Sequence, residues 1–343
     1  MDVAEIDLRS DTVTKPSKAM LKAMLNARLG DDVFNEDPTV IELEAKAAKI
    51  LGKEAGLFMP SGTMANQVAI KSITNPPGEL ICERNSHIYL YEGGGISFHS
   101  GLSAKLINGD RGRVSSANVA NAINPEHDYF PTTQLVSIEN THNRGGGSVY
   151  SKTEVEAIYQ VIKDKPINFH LDGARLFNAV IASDYSAKEF CEYFDTVSIC
   201  LSKGLGAPVG SVIASSEEII RRARKLRKLM GGGMRQVGIL AAAGIYALDN
   251  NIERLAEDHR NAKKIESALS GMNYISELIP VSTNIIVFEL KDKVSVELFI
   301  NELKRNKVLA VPFGVNGVRM VTHLDVDSEK VDLVCSVLQN III

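Results

Sequence analysis

The sequence predicts an α/β fold with a large domain built on a mostly parallel sheet and a smaller C-terminal α+β domain. Short apolar runs alternate with helix-like runs between residues 57 and 214, which is typical of successive βαβ units. The 343 residues exceed the usual size of a single hydrophobic core, so two domains are expected. After residue 247 the helices and strands follow an order typical of a small α+β domain.

The predicted elements divide the chain into an N-terminal arm (1–20), a large domain (21–247) and a small domain (248–343). The large domain's predicted strands are the apolar runs 56–59, 80–82, 104–107, 135–138, 167–171, 196–201 and 210–214. Ser151 and Glu154 have the spacing of a capping box before a helix over 155–163. The small domain is predicted as helix 252–269, strand 284–290, helix 294–305, strand 318–322 and helix 328–339.

Composition indicates a globular protein that acts on small molecules. The formal net charge of −4 argues against a nucleic-acid or polybasic membrane partner. The four cysteines are widely separated and form no Cys-x-x-Cys pair, which favours a reducing compartment over a zinc or disulfide scaffold. The N-terminus lacks the apolar core of a signal peptide, and the apolar helix predicted over 237–248 is too short to span a bilayer. We therefore expect a cytoplasmic protein without a metal.

One lysine directly after a predicted strand is the strongest candidate for covalent chemistry. Lys203 follows the apolar run 196–201 and is succeeded by a glycine-rich segment. That position makes full exposure improbable, and partial desolvation lowers the pKa of a lysine and makes its amine nucleophilic. The alternative is a surface lysine in a turn.

An aspartate closes the strand predicted before it. Asp172 follows the run 167–171, at the carboxyl edge where open α/β sheets bind ligands. Pyridoxal phosphate needs an acid opposite its pyridine nitrogen and an amine for its aldehyde. Capping of the next helix is the alternative for Asp172 alone. Asp172 and Lys203, one strand apart, together predict a pyridoxal-phosphate site.

Other segments supply candidates for the cofactor phosphate. Ser61, Gly62 and Thr63 lie where strand 56–59 gives way to a helix, whose N-terminus attracts anions. A plain N-cap by Ser61 or Thr63 is the alternative. Arg235, at the start of the helix over 237–248, is placed to meet a phosphate of its own or a neighbouring subunit.

Three histidines and one arginine are candidates for contacts to the cofactor ring and the substrate. His87 and His142 each follow a predicted strand, and His127 is a weaker candidate; ordinary local hydrogen bonding is the alternative for a lone histidine. Arg319 is an isolated cation in an apolar strand, where it requires a carboxylate partner. A substrate α-carboxylate and a structural salt bridge both remain open. Ser10 lies in a polar segment that also suits a turn.

Taken together, these segments resemble the low-specificity L-threonine aldolases, pyridoxal-phosphate enzymes of the aspartate-aminotransferase fold type. The resemblance covers nearly the whole chain and rests on residues 7–14, 30–33, 61–63, 139–143, 172–175, 202–206 and 319–325. It implies a large domain with the fold of the pyridoxal-phosphate-dependent transferases. Family members are commonly tetramers with sites at subunit interfaces, so the resemblance also implies a homotetramer.

The resemblance implies a role for most of the candidates. Lys203 forms the Schiff base with the cofactor, Asp172 pairs with the pyridine nitrogen, and His87 stacks on the ring. The remaining implied contacts are Arg175 near the ring hydroxyl, Gly62 and Thr63 on the phosphate with Arg235 from another subunit, and Ser10 and Arg319 on the substrate carboxylate.

The implied reaction cleaves L-threonine, L-allo-threonine and related β-hydroxy-α-amino acids to glycine and an aldehyde, with His87 acting through a water as the base. The sequence departs from the family pattern at two positions that affect the substrate pocket. Tyr129 stands where relatives often have histidine, with His127 two residues earlier, and Phe34 stands where they often have tyrosine. β-Elimination, transamination and decarboxylation share the Asp172 and Lys203 pair and remain alternatives, as does a non-catalytic binding protein on this fold.

Overall fold

The computed structural model describes residues 5–341 and has the predicted α/β fold, with a seven-stranded sheet and a separate four-stranded sheet. The strands are β1 (Ile6–Asp7), β2 (Ala55–Met59), β3 (Gly78–Glu83), β4 (Leu102–Ile107), β5 (Thr133–Glu139), β6 (Asn168–Gly173), β7 (Thr196–Cys200), β8 (Ser211–Ser215), β9 (Ile275–Leu278), β10 (Ile285–Leu290), β11 (Val308–Leu309), β12 (Val311–Phe313) and β13 (Gly317–Val321).

The helices surround these sheets and account for the remaining regular structure of the described residues. They are α1 (Lys18–Leu25), α2 (Pro38–Leu51), α3 (Gly62–Ser72), α4 (His87–Leu90), α5 (Gly95–Ser100), α6 (Ser116–Ala122), α7 (Lys152–Ile162), α8 (Leu176–Ile181), α9 (Ala187–Cys191), α10 (Glu217–Leu229), α11 (Gly238–Asn250), α12 (Leu255–Leu269), α13 (Val296–Arg305) and α14 (Ser328–Asn340), with 3-10 turns at Asp11–Val13 and Asp32–Phe34. The predicted capping box at Ser151 is present: its hydroxyl accepts the backbone N–H of Glu154.

The seven-stranded sheet has the order β2-β8-β7-β6-β5-β3-β4, and only β8 runs against the others. These strands are the seven apolar runs predicted from the sequence. Strands β3, β7 and β8 are buried along their whole length, because helices cover both faces as in other mostly parallel sheets. Because β3, β5, β6 and β7 run in the same direction, their carboxyl ends meet at one edge of the sheet. In register, Glu139 of β5 lies beside Asp172 of β6.

The four-stranded sheet has the order β12-β13-β10-β9 and is antiparallel throughout. Strands β10 and β13 are the two predicted for the small domain. The short strands β1, β9, β11 and β12 were not predicted, because two to four residues are too few to show a pattern. Helix α12 begins at Leu255, three residues later than predicted. Ile6 and Leu8, from the predicted arm, lie in the same apolar core as α12 and α14.

The predicted borders at residues 20 and 247 both fall inside helices, α1 and α11, which pack against each other. The change of sequence pattern near residue 247 thus lies within α11 and not at its end. None of the helices in residues 5–341 combines the length and the apolar character that crossing a bilayer requires.

Candidate active site

Asp172 lies at the carboxyl end of β6 and is buried. Its Oδ2 accepts a hydrogen bond from Nδ2 of Asn66 (2.9 Å), and its Oδ1 accepts one from the backbone N–H of Ala174 (3.1 Å). The following helix, α8, has Arg175 and not Asp172 as its N-cap. The carboxylate therefore does not serve as that helix's cap, and one of its oxygens is held by a fixed amide.

Asn66, in the second turn of α3, connects several buried polar groups. Its Nδ2 donates to Asp172 and to Oε1 of Glu92 (2.8 Å), while its Oδ1 accepts from the hydroxyl of Ser198 (2.6 Å). No role was predicted for Asn66. The sequence feature that could have identified it is a pair of adjacent amide side chains, Asn66 and Gln67. They lie in a helix whose other buried positions are mostly apolar.

His87 is the first residue of α4 and lies beside Asp172. Its Nδ1 lies 2.9 Å from Oε1 of Glu92, and ligand atoms of His87, Glu92 and Asp172 all fall within 4.8 Å of one another. A carboxylate only accepts, so Nδ1 carries the proton and Nε2 is left for a ligand. Burial opposes protonation, but the Glu92 hydrogen bond and the Asp172 charge outweigh it and raise the pKa of His87.

Glu139 fixes the position of this histidine from the end of β5. It is buried, and its Oε2 accepts the backbone N–H of His87 (2.8 Å). Its Oε1 accepts the backbone N–H of Asn143 (2.9 Å). One carboxylate thereby holds the start of α4 and the loop that follows β5.

Lys203 lies in the loop after β7 and is half-buried. Its backbone carbonyl accepts hydrogen bonds from the hydroxyl of Thr14 (3.0 Å) and from the backbone N–H of Gly206 (2.8 Å). Gly206 has a φ of 76°, which a glycine adopts without strain. The charge of Lys203 acts on both Asp11 and His87, so its amine lies in their neighbourhood.

Arg175 forms a buried, bidentate ion pair with Asp11, with Nε–Oδ2 and Nη2–Oδ1 distances of 2.7 Å. Burial alone would raise the pKa of Asp11, but the charges of Arg175 and Lys203 lower it to about 2. The ion pair uses two of the five guanidinium N–H donors, so Nη1 and the second N–H of Nη2 are left for the implied contact of Arg175 to the ring hydroxyl. Asp11 was not predicted, because its partner is 164 residues away in sequence.

Replacing Asp11 with asparagine is expected to lower the free energy of unfolding by about 3–5 kcal/mol, because the guanidinium of Arg175 would stay buried without a countercharge. Urea unfolding of the two proteins at neutral pH measures the difference. Arg9→Gln is the control, since it removes the exposed Arg9–Asp7 pair and is expected to cost no more than about 1 kcal/mol. Equal losses in both variants would contradict the prediction.

The N-terminus of α3 lies close to the loop that carries Lys203. Ser61 is the N-cap of α3, its hydroxyl accepting the backbone N–H of Met64 (3.2 Å). A Cβ at Gly62 would lie 2.8 Å from Sγ of Cys200, the last residue of β7, so glycine permits this close approach. The first-turn amides of Gly62 and Thr63 lack partners within the helix and can donate hydrogen bonds to an anion.

Arg235 contacts the segment around the 3-10 turn Asp32–Phe34 in its own chain. Its Nη1 lies 3.0 Å from Oδ2 of Asp31, and its guanidinium lies 5.9 Å from the centre of the Phe34 ring. The side chain is 55% exposed. It is therefore accessible to a neighbouring subunit.

Arg319, on β13, donates to Oδ1 of Asn143 (3.0 Å) and to the backbone carbonyl of Arg9 (3.1 Å). No carboxylate within residues 5–341 lies at ion-pair distance from it, so the alternative of a structural salt bridge is wrong. Its Nε is buried without a hydrogen-bond partner among those residues. Burial, with the charge of Arg175 adding to it, lowers the pKa of Arg319. Ser10, next to Arg9, caps the turn Asp11–Val13 through the backbone N–H of Thr12 (3.2 Å).

Two further histidines, His142 and His127, were predicted as substrate contacts, and that role stays a prediction. His142 is fully buried: its Nδ1 accepts the backbone N–H of Gly145 (3.0 Å) and its Nε2 lies 3.3 Å from Oε2 of Glu83. His127 is exposed and packs on Tyr129, with ring centres 3.8 Å apart. It precedes β5 and lines a cleft with residues that precede β6, so within one chain it lies at the edge of the sheet opposite to Asp172.

The residues at the carboxyl edge fit pyridoxal phosphate. A buried carboxylate is available for the pyridine nitrogen, a half-buried amine for the aldehyde, and a helix N-terminus with free amides for the phosphate. The unpaired guanidinium of Arg319, with a buried nitrogen that has no partner in the described chain, fits an amino-acid carboxylate. This combination of fold and site is that of the pyridoxal-phosphate-dependent enzymes of the aspartate-aminotransferase fold type.

Comparisons with known proteins narrow this class. The chain belongs to the beta-eliminating lyase family, whose model matches residues 7–293. It is 43% identical to the low specificity L-threonine aldolase of Escherichia coli K12 over 327 residues, covering 95% of this chain and 96% of that one. It is also 37% identical to the alanine racemase TOXG of Cochliobolus carbonum, covering 99% and 88%. The protein is thus a pyridoxal-phosphate-dependent lyase.

A solved structure of Leishmania major threonine aldolase shows the same fold. It superimposes with a TM-score of 0.84 at 20% identity, and the match covers 97% of this chain and 98% of that one.

Proposed function

We propose that this enzyme cleaves L-threonine, L-allo-threonine and related β-hydroxy-α-amino acids to glycine and an aldehyde. The observation that carries the proposal is the unneutralised guanidinium of Arg319, placed on the same side of the fold as Asp172 and Lys203. It fits the α-carboxylate of an amino acid. The 43% identity to a relative named for this activity supports the choice of reaction.

The chain's residues hold the substrate so that the bond to Cβ is the one that breaks. Bound at Lys203, with Asp172 at its pyridine nitrogen, pyridoxal phosphate supplies an acceptor for the electron pair of the broken bond. Arg319 and Ser10 hold the α-carboxylate and thereby set the rotation about the bond to Cα. The amides of Gly62 and Thr63, with the hydroxyl of Ser61, hold the phosphate at the end of α3.

His87 supplies the base in this proposal. Glu92 holds the proton on Nδ1, which leaves the lone pair of Nε2 to accept the proton of the substrate's β-hydroxyl through a water. The aldehyde forms as that proton leaves. His87 would also lie against the cofactor ring when the cofactor is bound, since its ring is next to Asp172 at the carboxyl edge of the sheet.

Replacing Glu92 with glutamine is expected to move the acid limb of the pH profile of kcat/KM to lower pH. Activity that needs neutral Nε2 rises with pH through the pKa of His87. Burial opposes protonation, but the hydrogen bond to Glu92 and the charge of Asp172 outweigh it and raise that pKa. Removing one carboxylate lowers that pKa. Glu79→Gln, at the amino end of β3, is the control and should leave the limb in place. An unchanged limb in both variants would exclude His87 as the base.

Product analysis tests the reaction itself. Purified protein loaded with pyridoxal phosphate is incubated separately with L-threonine and L-allo-threonine, and acetaldehyde and glycine are measured. Ammonia with a keto acid would instead indicate β-elimination, and interconversion of the alanine enantiomers would indicate a racemase like the fungal relative. Absence of acetaldehyde with both isomers would refute the proposal.

We also propose that the enzyme is a cytoplasmic homotetramer. Several large apolar side chains are more than two-thirds exposed in the single chain, and contact with other subunits would bury them: Leu25, Phe34, Phe98, Tyr129 and Leu229. Arg235 is accessible to a neighbour's phosphate site. The free thiols of Cys82, Cys191 and Cys200 are buried, which suits a reducing compartment.

A further inference from the structure

A second arginine lies on the same side of the small sheet as Arg319. The loop after β5 packs against β10: a Cβ at Gly147, where φ is 71°, would lie 2.5 Å from Oγ1 of Thr283. Only a glycine allows this approach. Asn143 of the loop binds Arg319, and the next residue, Arg144, is carried to the same face of the sheet.

The register of the small sheet defines that face. Arg319 lies opposite Val311 of β12, and Phe313 is two residues beyond Val311, so the side chains of Phe313 and Arg319 point to the same side. The guanidinium carbon of Arg144 lies 4.1 Å from the centre of the Phe313 ring. Stacking of this kind orients an arginine and leaves the N–H groups at its edge free to bind an anion.

Arg144 also faces the cofactor side of the site. Its Nη1 lies 3.5 Å from the hydroxyl of Tyr91, and the Tyr91 ring lies 5.5 Å from the ring of His87. The side chain is half-buried. Arg144 thus lies at the mouth of the site, between the residue proposed as the base and the strand that carries Arg319.

The charges at this mouth are not balanced by the chain. Within the described part of the chain, neither Arg144 nor Arg319 has a carboxylate at ion-pair distance. Burial is the main cause that lowers the pKa of Arg319, and repulsion from Arg175 and Arg144 adds to it. Arg175 is neutralised by Asp11, so two guanidinium groups remain for ligands. A monocarboxylate amino acid neutralises only one of them.

We propose that Arg144 binds a carboxylate on the side chain of the substrate, so that the enzyme cleaves acidic β-hydroxy-α-amino acids, of which β-hydroxyaspartate is the smallest. The proposal rests on the aldol cleavage proposed above. The Cα–Cβ bond breaks, the β-hydroxyl loses its proton and becomes the carbonyl of glyoxylate, and Cα takes up a proton to give glycine. No oxidant, reductant or second substrate is consumed.

The test compares substrates in the holoenzyme and its variants. The ratio of kcat/KM for β-hydroxyaspartate to kcat/KM for L-threonine is measured in the unaltered enzyme, Arg144→Gln, Arg144→Lys and Arg260→Gln. Losing a charge-assisted hydrogen bond is expected to reduce this ratio about 10- to 100-fold in Arg144→Gln. Arg144→Lys keeps the charge, so its ratio of kcat/KM values should fall less. Arg260 is exposed on α12, and its variant should match the unaltered enzyme.

A binding measurement separates this inference from the reaction on which it rests. L-Aspartate and L-alanine lack the β-hydroxyl, and their dissociation constants follow from changes in cofactor absorbance. Arg144→Gln should raise the dissociation constant of L-aspartate, relative to that of L-alanine, by a similar factor. If no amino acid is cleaved but this dependence is found, the reaction is wrong and the assignment of Arg144 stands. If L-threonine is cleaved and both ratios stay within about twofold of the unaltered enzyme, the assignment of Arg144 is overturned.

Discussion

Replacing Lys203 with alanine is expected to lower kcat/KM for L-threonine by on the order of 10³- to 10⁶-fold, the range seen when a covalent nucleophile is removed. The lysine is half-buried, its loop is fixed by Thr14 and Gly206, and its charge acts on Asp11 and His87 at the carboxyl edge. The variant should also lose the covalent link to the cofactor. Borohydride reduction followed by peptide mapping measures that link directly.

Lys53 provides a matched control for this experiment. Burial lowers its pKa, but its Nζ donates to the backbone carbonyl of Phe194, away from the carboxyl edge of the sheet. Lys53→Ala is therefore expected to keep both the reduced adduct and the catalytic rate per folded molecule. A reduced adduct that persists in Lys203→Ala, or that maps to Lys53, would show that another amine carries the cofactor.

The comparison with Lys53 also shows what made Lys203 predictable. Partial burial does not distinguish the two lysines, since both are half-buried. Lys203 and Asp172 were identified because each directly follows an apolar strand, and the carboxyl ends of neighbouring parallel strands must meet at one edge. The alternation of apolar runs along the chain thus predicts the fold and places Asp172 and Lys203 at the same edge of the sheet.

The groups that hold these residues in place were not predictable in the same way. Asp11 pairs with Arg175 across 164 residues of sequence, and Asn66 reaches Asp172 across 106. Each lies in a segment that also suits an ordinary turn or helix. Their roles depend on how α3 and the N-terminal segment pack on the sheet, which no local pattern specifies.

The histidines show the limit of predicting site residues from their position next to a strand. His142 follows β5 as predicted, but its ring is fully buried against Glu83 and Gly145. His127 precedes β5, so chain order alone places it at the amino edge of a parallel strand. The position of a residue relative to a strand locates its backbone and does not tell whether its side chain points to the ligand.

Replacing Asp172 with asparagine is expected to lower kcat/KM for L-threonine by on the order of 10³- to 10⁴-fold, comparable to other buried aspartates that orient or charge a catalytic ring. An amide is nearly isosteric, but it does not carry the charge that keeps a pyridine nitrogen protonated. The electron acceptor is then weaker while the chain's fold is kept. Steady-state kinetics with L-threonine measures the loss.

The two variants should differ in one respect that identifies the role of the acid. Asp172→Asn is expected to keep the borohydride-reducible link at Lys203, since the amine is untouched, whereas Lys203→Ala loses it. Asp195 is the matched control: its carboxylate accepts the backbone N–H of Phe169 (2.7 Å) near the amino end of the same strand, β6. Asp195→Asn therefore disturbs β6 without reaching the carboxyl edge, and its rate should stay within a few-fold of the unaltered enzyme. A large loss in Asp195→Asn, or a rate retained in Asp172→Asn, would mean that the acid on β6 supports the strand and does not act on the cofactor.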